Sequence, residues 1–134
     1  MIKGEGMDKR KDTGQEGAIG RHAEDLVCRF LAREGHTILE RNWRSGHLEI
    51  DIITMDRNGI HFVEVKSRRT PGQADPAENV NAVKQRRIVA AAKGYIRRMA
   101  DRDTEFFFDV ATVTFDGRHT EIRYYPQAYL PVQI

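Results

Sequence analysis

Residues 48–69 read LEIDIITMDRNGIHFVEVKSRR, and this stretch decides the predicted fold. Two strand-forming runs flank Asn58-Gly59, a dipeptide typical of two-residue β-hairpin turns because both residues accept positive φ angles. A turn there pairs residues whose numbers sum to about 117, which places Asp51 opposite Lys66 and Ile53 opposite Glu64. The stretch is therefore predicted to form an antiparallel hairpin.

Side chains alternate along each strand, so the hairpin has two distinct faces. One face carries Asp51, Glu64 and Lys66 at the end away from the turn. The other face is apolar throughout and contains Leu48, Ile50, Ile52, Val63 and Val65. Toward the turn the charged face also becomes apolar, which predicts a strand pair covered on both sides, as in an α/β sheet. Charges at the edge of such a sheet carry a desolvation cost that a metal, a substrate or a paired network would offset.

The composition describes one ordinary soluble domain. The chain has 134 residues, of which 40% are hydrophobic and 31% are charged, and its net charge is +2. Its single cysteine, Cys28, excludes an internal disulfide, and we expect it to be structural. No apolar run reaches the roughly 18 residues of a membrane span. We therefore expect a cytoplasmic protein that does not act in a membrane.

The first part of the chain predicts a flexible leader followed by a helix. Residues 1–20 contain five glycines and no apolar periodicity, so the leader is assigned to them and a single domain to residues 21–134. Apolar residues recur at helical spacing from Arg21 to Glu34. Glu24 lies on the border of this apolar stripe. It is either a boundary glutamate paired with an arginine or an acid that faces a cleft beneath the helix.

The remaining elements complete an α/β pattern. We predict a strand at Thr37–Arg44, a helix from about Asp75 to Met99 that could break at Asn79–Asn81, and a second hairpin. That hairpin comprises Glu105–Thr114, a turn at Asp116-Gly117 and His119–Tyr125. The predicted order is α-β-β-β-α-β-β, with a mixed central sheet flanked by helices. Asp109 interrupts an apolar face of its strand.

The second long helix carries a directional positive surface. It contains six basic residues and no acidic residue between Val80 and Ala100: Lys84, Arg86, Arg87, Lys93, Arg97 and Arg98. We call these residues the basic surface. It either contacts nucleic-acid phosphates or is simply solvated. Gln85 stands beside its start and could donate a hydrogen bond to a phosphate.

The charged face of the first hairpin offers ligands for a hard cation. The carboxylates of Asp51 and Glu64, with the carbonyl of Val65, suit Mg²⁺, which prefers oxygen ligands and keeps waters for substrate phosphates. Lys66 would stand beside such water and orient or deprotonate it. Without a metal, the same groups could neutralise one another. His47 and His61 lack a histidine at metal-site spacing, so we do not expect them to bind metal.

These residues resemble the PD-(D/E)xK, or restriction-endonuclease-like, nuclease superfamily. More closely, residues 20–113 resemble the YraN family of small bacterial proteins, which is similar to archaeal Holliday junction resolvases. The matching blocks are AEDLVCRFLAREGHTILERNWR, LEIDII, HFVEVKSRR, KQRRI and FDVATV. The resemblance implies a restriction-endonuclease-like core, and it implies Asp51 and Glu64 as metal ligands and Lys66 as the catalytic lysine. It further implies Glu24 as an auxiliary acid that reaches the metal through water and Gln85 as a residue lining the site.

Three hypotheses follow from the residues and the resemblance. The first is a Mg²⁺-dependent endonuclease, with Mn²⁺ as a substitute ion, that hydrolyses phosphodiester bonds in DNA, including branched DNA, as a homodimer. The second is a non-catalytic module that keeps the fold and binds nucleic acid through Lys84, Arg86, Arg87 and Arg97. The third is an assembly protein in which the charged face is a salt-bridge network.

Overall fold

The computed structural model describes residues 14–69, 82–99 and 103–129, with side chains described from residue 17 onward. Its elements are α1 (Gly14–Arg33), β1 (Thr37–Ser45), β2 (Leu48–Asp56), β3 (Gly59–Arg69), α2 (Ala82–Ile96), β4 (Phe106–Asp116) and β5 (His119–Tyr129). This order confirms the α-β-β-β-α-β-β prediction. Neither described helix combines the length and the apolar character of a membrane span.

The five strands form one mixed sheet in the order β1-β2-β3-β4-β5. Strand β3 pairs with β4 in parallel, whereas the other neighbours pair antiparallel. A parallel pair needs a crossover connection, and α2 lies in the connection between β3 and β4. The predicted mixed sheet flanked by helices is therefore confirmed.

Two apolar layers cover the sheet, one beneath each helix. Successive residues of β3, Phe62 and Val63, belong to different core clusters, as alternation along a strand requires. The cluster beneath α2 contains Ile50, Ile53, Ile60, Phe62, Ile88, Val89, Ala91, Ala92 and Phe108. The cluster beneath α1 contains Ala23, Val27, Leu31, Ile52, Val63, Ala111 and Val113. Both faces of the central strands are thus buried, as predicted.

The prediction of one continuous apolar face on the first hairpin is wrong at its open end. Ile52, Val63 and Val65 pack beneath α1, but Leu48 and Ile50 pack beneath α2. Strands β2 and β3 pair only from Ile52 and Val63 toward the turn. Strict alternation therefore fails where the two strands stop pairing. This is also the end of the hairpin that carries Asp51.

The first hairpin turns at Arg57-Asn58, one residue before the predicted Asn58-Gly59. Asp56 pairs with Gly59, so the partners sum to 115 rather than 117, and Ile53 faces Phe62. The Asp56 carboxylate accepts hydrogen bonds from the backbone N–H groups of Asn58 (2.9 Å) and Gly59 (3.2 Å), which fixes this turn. The predicted pairs of Asp51 with Lys66 and of Ile53 with Glu64 are therefore wrong.

Gly59 is needed for a different reason from the predicted one. Its φ angle is +147°, and a Cβ at this position would lie 2.3 Å from the carbonyl oxygen of Glu105. The next residue, Ile60, donates its N–H to that same oxygen at 2.9 Å. Glycine thus permits a close approach to the chain before β4. Because the register moves by two residues, the side chains of the paired residues Ile52–Asp56 and Gly59–Val63 keep their predicted faces.

Several element boundaries also differ from the predictions. Helix α1 begins at Gly14 rather than Arg21, because each residue added to a nucleated helix gains a backbone hydrogen bond. The second hairpin turns at Gly117-Arg118, since Asp116 pairs with His119. Residues 1–13 of the predicted leader, and the predicted helix start and break within 70–81, lie outside the described residues.

Strand β5 continues to Tyr129, four residues beyond its predicted end. It contains Pro126, which lacks an N–H, and such a residue fits a strand at the edge of a sheet. A register shift between Phe108 and Val110 of β4 accompanies this extension. The backbone N–H of Gln127 there donates to the Asp109 carboxylate at 2.9 Å. The buried acid of β4 thus helps to hold the last part of β5.

Candidate active site

The carboxyl groups of Asp51 and Glu64 meet where β2 and β3 separate. Oδ2 of Asp51 accepts a hydrogen bond from the backbone N–H of Val65 at 2.8 Å. Glu64 is only 6% exposed, and it lies close enough to Asp51 for its charge to act on that carboxyl group. Burial and the Glu64 charge raise the pKa of Asp51 to about 8. A proton is therefore held on Asp51 at neutral pH when no cation is bound.

Two lysine ammonium groups contact the same oxygen of Glu64. Nζ of Lys66 lies 3.2 Å from Oε2, and Nζ of Lys84, from the start of α2, also contacts that oxygen. Burial and the neighbouring Lys84 lower the pKa of Lys66. Burial acts in the same direction on Lys84, but its contacts with Glu64 outweigh this and raise its pKa. The geometry therefore separates the two lysines into one that loses its proton more readily and one that stays charged.

The donor set fits a hard divalent cation. The charges of two neighbouring buried carboxyl groups disfavour each other, which raises the pKa of Asp51, and a bound cation would relieve this repulsion. Lysine ammonium groups already supply positive charge at Glu64. The structure brings Asp51, Glu64 and Lys66 together as predicted. Val65 contributes its N–H, whereas the role of its carbonyl as a ligand stays a prediction.

Glu24 approaches the site from α1, whereas Gln85 lies on α2 in the position after Lys84. The Glu24 charge contributes to the raised pKa of Asp51, so this acid lies close enough to act on the site. Oε1 of Glu24 also lies 3.7 Å from Nη2 of Arg41, which contacts Asp25 at 2.8 Å. The boundary pairing with an arginine is thus present. Gln85 is half-buried on α2 beside Lys84, and the contribution of either residue to metal or phosphate binding stays a prediction.

An open cleft of about 620 Å³ lies between the start of β2 and the start of α2. Lys84 and Arg87 line it, together with Glu49 and the exposed His47. The cleft therefore combines cationic groups with direct proximity to Glu64 through Lys84.

The structure divides the basic surface along the length of α2. Arg86 is exposed near its start, whereas Arg97 is exposed in the turn that follows the helix, roughly 17 Å away at 1.5 Å per residue. Arg98 lies over the Trp43 ring, 5.7 Å from its centroid. Of the predicted nucleic-acid-binding residues, Lys84 and Arg87 lie at the site, Arg86 lies beside it and Arg97 lies apart from it.

The sequence did not predict a second cluster of buried polar side chains, which lies near the turn of the first hairpin. His61 lies between two carboxylates, with Nδ1 2.7 Å from Asp109 and Nε2 2.9 Å from Asp56. Asp109 is fully buried and also accepts a hydrogen bond from the Tyr124 hydroxyl. Burial opposes a charge on His61, but these hydrogen bonds outweigh it and raise its pKa. The ring of His36 packs against that of His61, with centroids 4.7 Å apart.

One sequence signal pointed to this group. Asp109 interrupts an apolar strand face, and such an acid needs a partner when it is buried. Its partner His61 becomes a neighbour only through the parallel pairing of β3 with β4, in which Val63 faces Asp109. The spacing of histidines along the sequence does not contain that pairing.

Comparison with known proteins places the chain among bacterial relatives. A protein from Oleidesulfovibrio alaskensis is 41% identical over 104 residues, which cover 78% of this chain and 52% of the relative. The chain thus spans about half the length of that relative. A protein from Rhodococcus opacus is 42% identical over 96 residues, covering 72% of this chain and 81% of the relative. One from Anaeromyxobacter sp. is 36% identical over 129 residues, covering 96% and 93%.

Each of these relatives is named as a UPF0102 protein. The sequence model of the uncharacterised protein family UPF0102 matches residues 23–113, a segment that includes Glu24, Asp51, Glu64, Lys66 and Gln85. This is the YraN family that the sequence blocks resemble. The chain therefore belongs to the uncharacterised protein family UPF0102.

Proposed function

We propose that this protein is a Mg²⁺-dependent endonuclease that hydrolyses phosphodiester bonds in DNA, including branched DNA. One observation carries the proposal: the Asp51 and Glu64 carboxyl groups meet beside Lys66, and Lys84 joins them to a cationic cleft. Buried groups with strongly displaced pKa values, gathered beside a cleft, are typical of catalytic sites. The resemblance to PD-(D/E)xK nucleases supports the same chemistry.

Each residue of the site would have a separate role in hydrolysis. Asp51 and Glu64, with the carbonyl of Val65, would hold Mg²⁺ or Mn²⁺, which supplies charge stabilisation at the phosphate. The Val65 N–H fixes the orientation of Asp51 through its 2.8 Å hydrogen bond. Lys66 orients the attacking water and accepts its proton, because its lowered pKa leaves a larger neutral fraction.

Lys84 and Arg87 suit the binding of the DNA backbone. Both line the cleft, and the charge on Lys84 is maintained by its raised pKa. With a divalent cation held by Asp51 and Glu64, Lys84 would be available for a phosphate oxygen. Arginine adds a planar group that can donate two hydrogen bonds to one phosphate. Phosphate contacts of this kind position DNA without reading its sequence.

A second candidate function is a nucleic-acid-binding module without catalysis. The contact of two ammonium groups with one Glu64 oxygen favours it, because this arrangement balances the charge of the site without a divalent ion. DNA binding would then depend on the basic surface alone. The second candidate predicts binding that does not require a metal and that falls steeply with salt.

Cleavage assays on defined DNA test the proposal. Fluorescent linear duplex, single-stranded and four-way-junction DNA are incubated with Mg²⁺ or Mn²⁺ and the wild-type protein, Asp51→Ala or Lys66→Ala. Glu121→Ala, which removes an exposed carboxylate on β5, is the matched control. We expect cleavage that needs the metal and falls by about 10²-fold or more in the two site variants.

The same assays separate the outcomes. Cleavage that survives both site substitutions would refute the assigned site. Metal-independent binding without cleavage, weakened by Arg86→Ala and Arg97→Ala, would establish the second candidate instead. Because the proposal includes a homodimer for cutting paired strands, sedimentation of the protein with and without junction DNA should show two chains per junction.

A further inference from the structure

Three potential metal-binding side chains converge at the turn end of the first hairpin. His36 follows α1, Asp56 ends β2 and His61 lies near the start of β3. Their ligand atoms all lie within 4.8 Å of one another. Nε2 of His61 is 2.9 Å from one oxygen of Asp56, and Nε2 of His36 is 3.6 Å from the other. Two imidazole nitrogens and one carboxylate therefore face a common point.

The Nδ1 atom of each imidazole already has a hydrogen-bonding partner. Nδ1 of His36 lies 2.7 Å from Oγ1 of Thr54, and Nδ1 of His61 lies 2.7 Å from Oδ2 of the buried Asp109. Histidines that bind metals usually donate their other ring N–H to such an oxygen, which fixes the ring orientation. Both rings are thus oriented with Nε2 toward Asp56. The arrangement is that of metal ligands whose supporting contacts are in place.

The contact between His36 and Asp56 is incomplete without a further partner. The 3.6 Å distance exceeds the length of a normal N–H···O hydrogen bond. The two side chains are nevertheless mostly withdrawn from water, with 8% and 16% of their surfaces exposed. A cation between Nε2 of His36, Nε2 of His61 and the carboxylate would satisfy all three groups. Partial exposure of Asp56 provides access for the ion and for a water ligand.

We infer that His36, Asp56 and His61 form a binding site for a transition-metal ion of the Zn²⁺ class. Imidazole nitrogen suits Zn²⁺ and its neighbours in the first transition series, whereas Mg²⁺ prefers sites made of oxygen alone. Asp56 lies five residues along β2 from Asp51, which is roughly 17 Å at 3.3 Å per residue. The site is therefore separate from the candidate active site. Its existence does not depend on the proposed nuclease activity.

A metal ion at this position would join three segments of the chain. It would link the residue after α1, the end of β2 and the beginning of β3 through direct bonds. Ligation of this kind stabilises the folded state because the unfolded chain does not present the three ligands together. We assign the ion a structural role. Asp109 fixes the imidazole of His61 by a hydrogen bond, and the Tyr124 hydroxyl donates to Asp109 in turn.

Metal titration of the full chain tests the inference. The protein is stripped with a chelator and titrated with Zn²⁺ or Co²⁺ in the presence of excess Mg²⁺, which occupies any all-oxygen site. The readouts are retained metal per chain, the visible absorption of bound Co²⁺, and the melting temperature. The variants are His36→Gln and His61→Gln, with His119→Gln, an exposed histidine at the start of β5, as the matched control.

We expect one Zn²⁺ or Co²⁺ per chain and a melting temperature that rises with the metal in the wild-type protein and in His119→Gln. His36→Gln and His61→Gln should lose at least tenfold in affinity and lose the thermal shift. If the His61→Gln variant, which also loses the contact with Asp109, does not fold, His36→Gln still decides the question. Absence of retained metal in the wild-type protein, or equal retention in a folded His36→Gln variant, would overturn the inference.

Discussion

Replacing Asp51 with asparagine should stabilise the metal-free protein while removing a proposed metal ligand. Asparagine keeps an oxygen that can accept the Val65 N–H, which Asp51 now binds at 2.8 Å. It cannot ionise, so it avoids the charge that burial and Glu64 disfavour. The carboxyl group of Asp51 thus lowers the free energy of unfolding, and replacing it with an amide removes this cost.

The pKa of Asp51 sets the size and the pH dependence of the effect. It rises from 3.8 to about 8 on folding, which corresponds to an upper bound of roughly 6 kcal/mol. The stabilisation is smaller than this bound because Glu64 shares the effect and because a buried amide is itself desolvated. We therefore expect Asp51→Asn to raise the free energy of unfolding by about 1–3 kcal/mol at pH 8. Below pH 3.8 both states are protonated, and the wild-type stability is then lost progressively as the pH rises toward 8.

Urea unfolding between pH 4 and pH 9 checks this prediction without any activity assay. The stability difference between Asp51→Asn and the wild type should grow with pH through the window from about 4 to 8. Glu121→Gln, an exposed carboxylate paired with Arg123 at 3.4 Å, should change stability by no more than about 0.5 kcal/mol. An Asp51→Asn variant that is less stable than the wild type at pH 8 would refute the reasoning.

Three further predictions concern packing, backbone strain and DNA contact. Phe62→Ala should lower the free energy of unfolding by about 3–5 kcal/mol in urea titrations, because this fully buried ring stacks on two neighbouring phenylalanines; a loss under 1 kcal/mol would contradict the packing. Gly59→Ala should lower the free energy of unfolding by about 2–4 kcal/mol. This loss should clearly exceed that of Gly117→Ala, whose Cβ would meet open space. Equal losses would count against the close approach at Gly59. Arg87→Ala should weaken DNA binding about tenfold in fluorescence anisotropy, whereas Lys93→Ala should not, because only Arg87 lines the cleft; equal effects would place the DNA elsewhere.

The convergence of the site residues was predictable from sequence because Asp51, Glu64 and Lys66 all lie toward the end of the hairpin away from the turn. This convergence does not require the exact register, and it survives the loss of strict alternation at the open end of β2. Helical periodicity similarly placed Glu24 on the border of the apolar stripe of α1. Local patterns were sufficient for these features because each is set by neighbours in the sequence.

The features that escaped prediction all depend on long-range pairing. The turn moved because Gly59 is required against Glu105, 46 residues later in the chain. The contact of His61 with Asp109 forms only when β4 lies parallel to β3. The extension of β5 past Pro126 likewise needs the Asp109 carboxylate to hold Gln127. None of these partners is marked by spacing in the sequence.

Pro126 has a consequence for how copies of this protein can associate. Among the described strands, β5 pairs only with β4, so its other edge has no strand partner. Proline removes one N–H from this strand, and the exposed Gln127 beside it adopts a left-handed φ of +50°. A strand interrupted in this way is a poor template for pairing with another chain. A homodimer of this protein should therefore not form by pairing the β5 edges of two subunits into one continuous sheet.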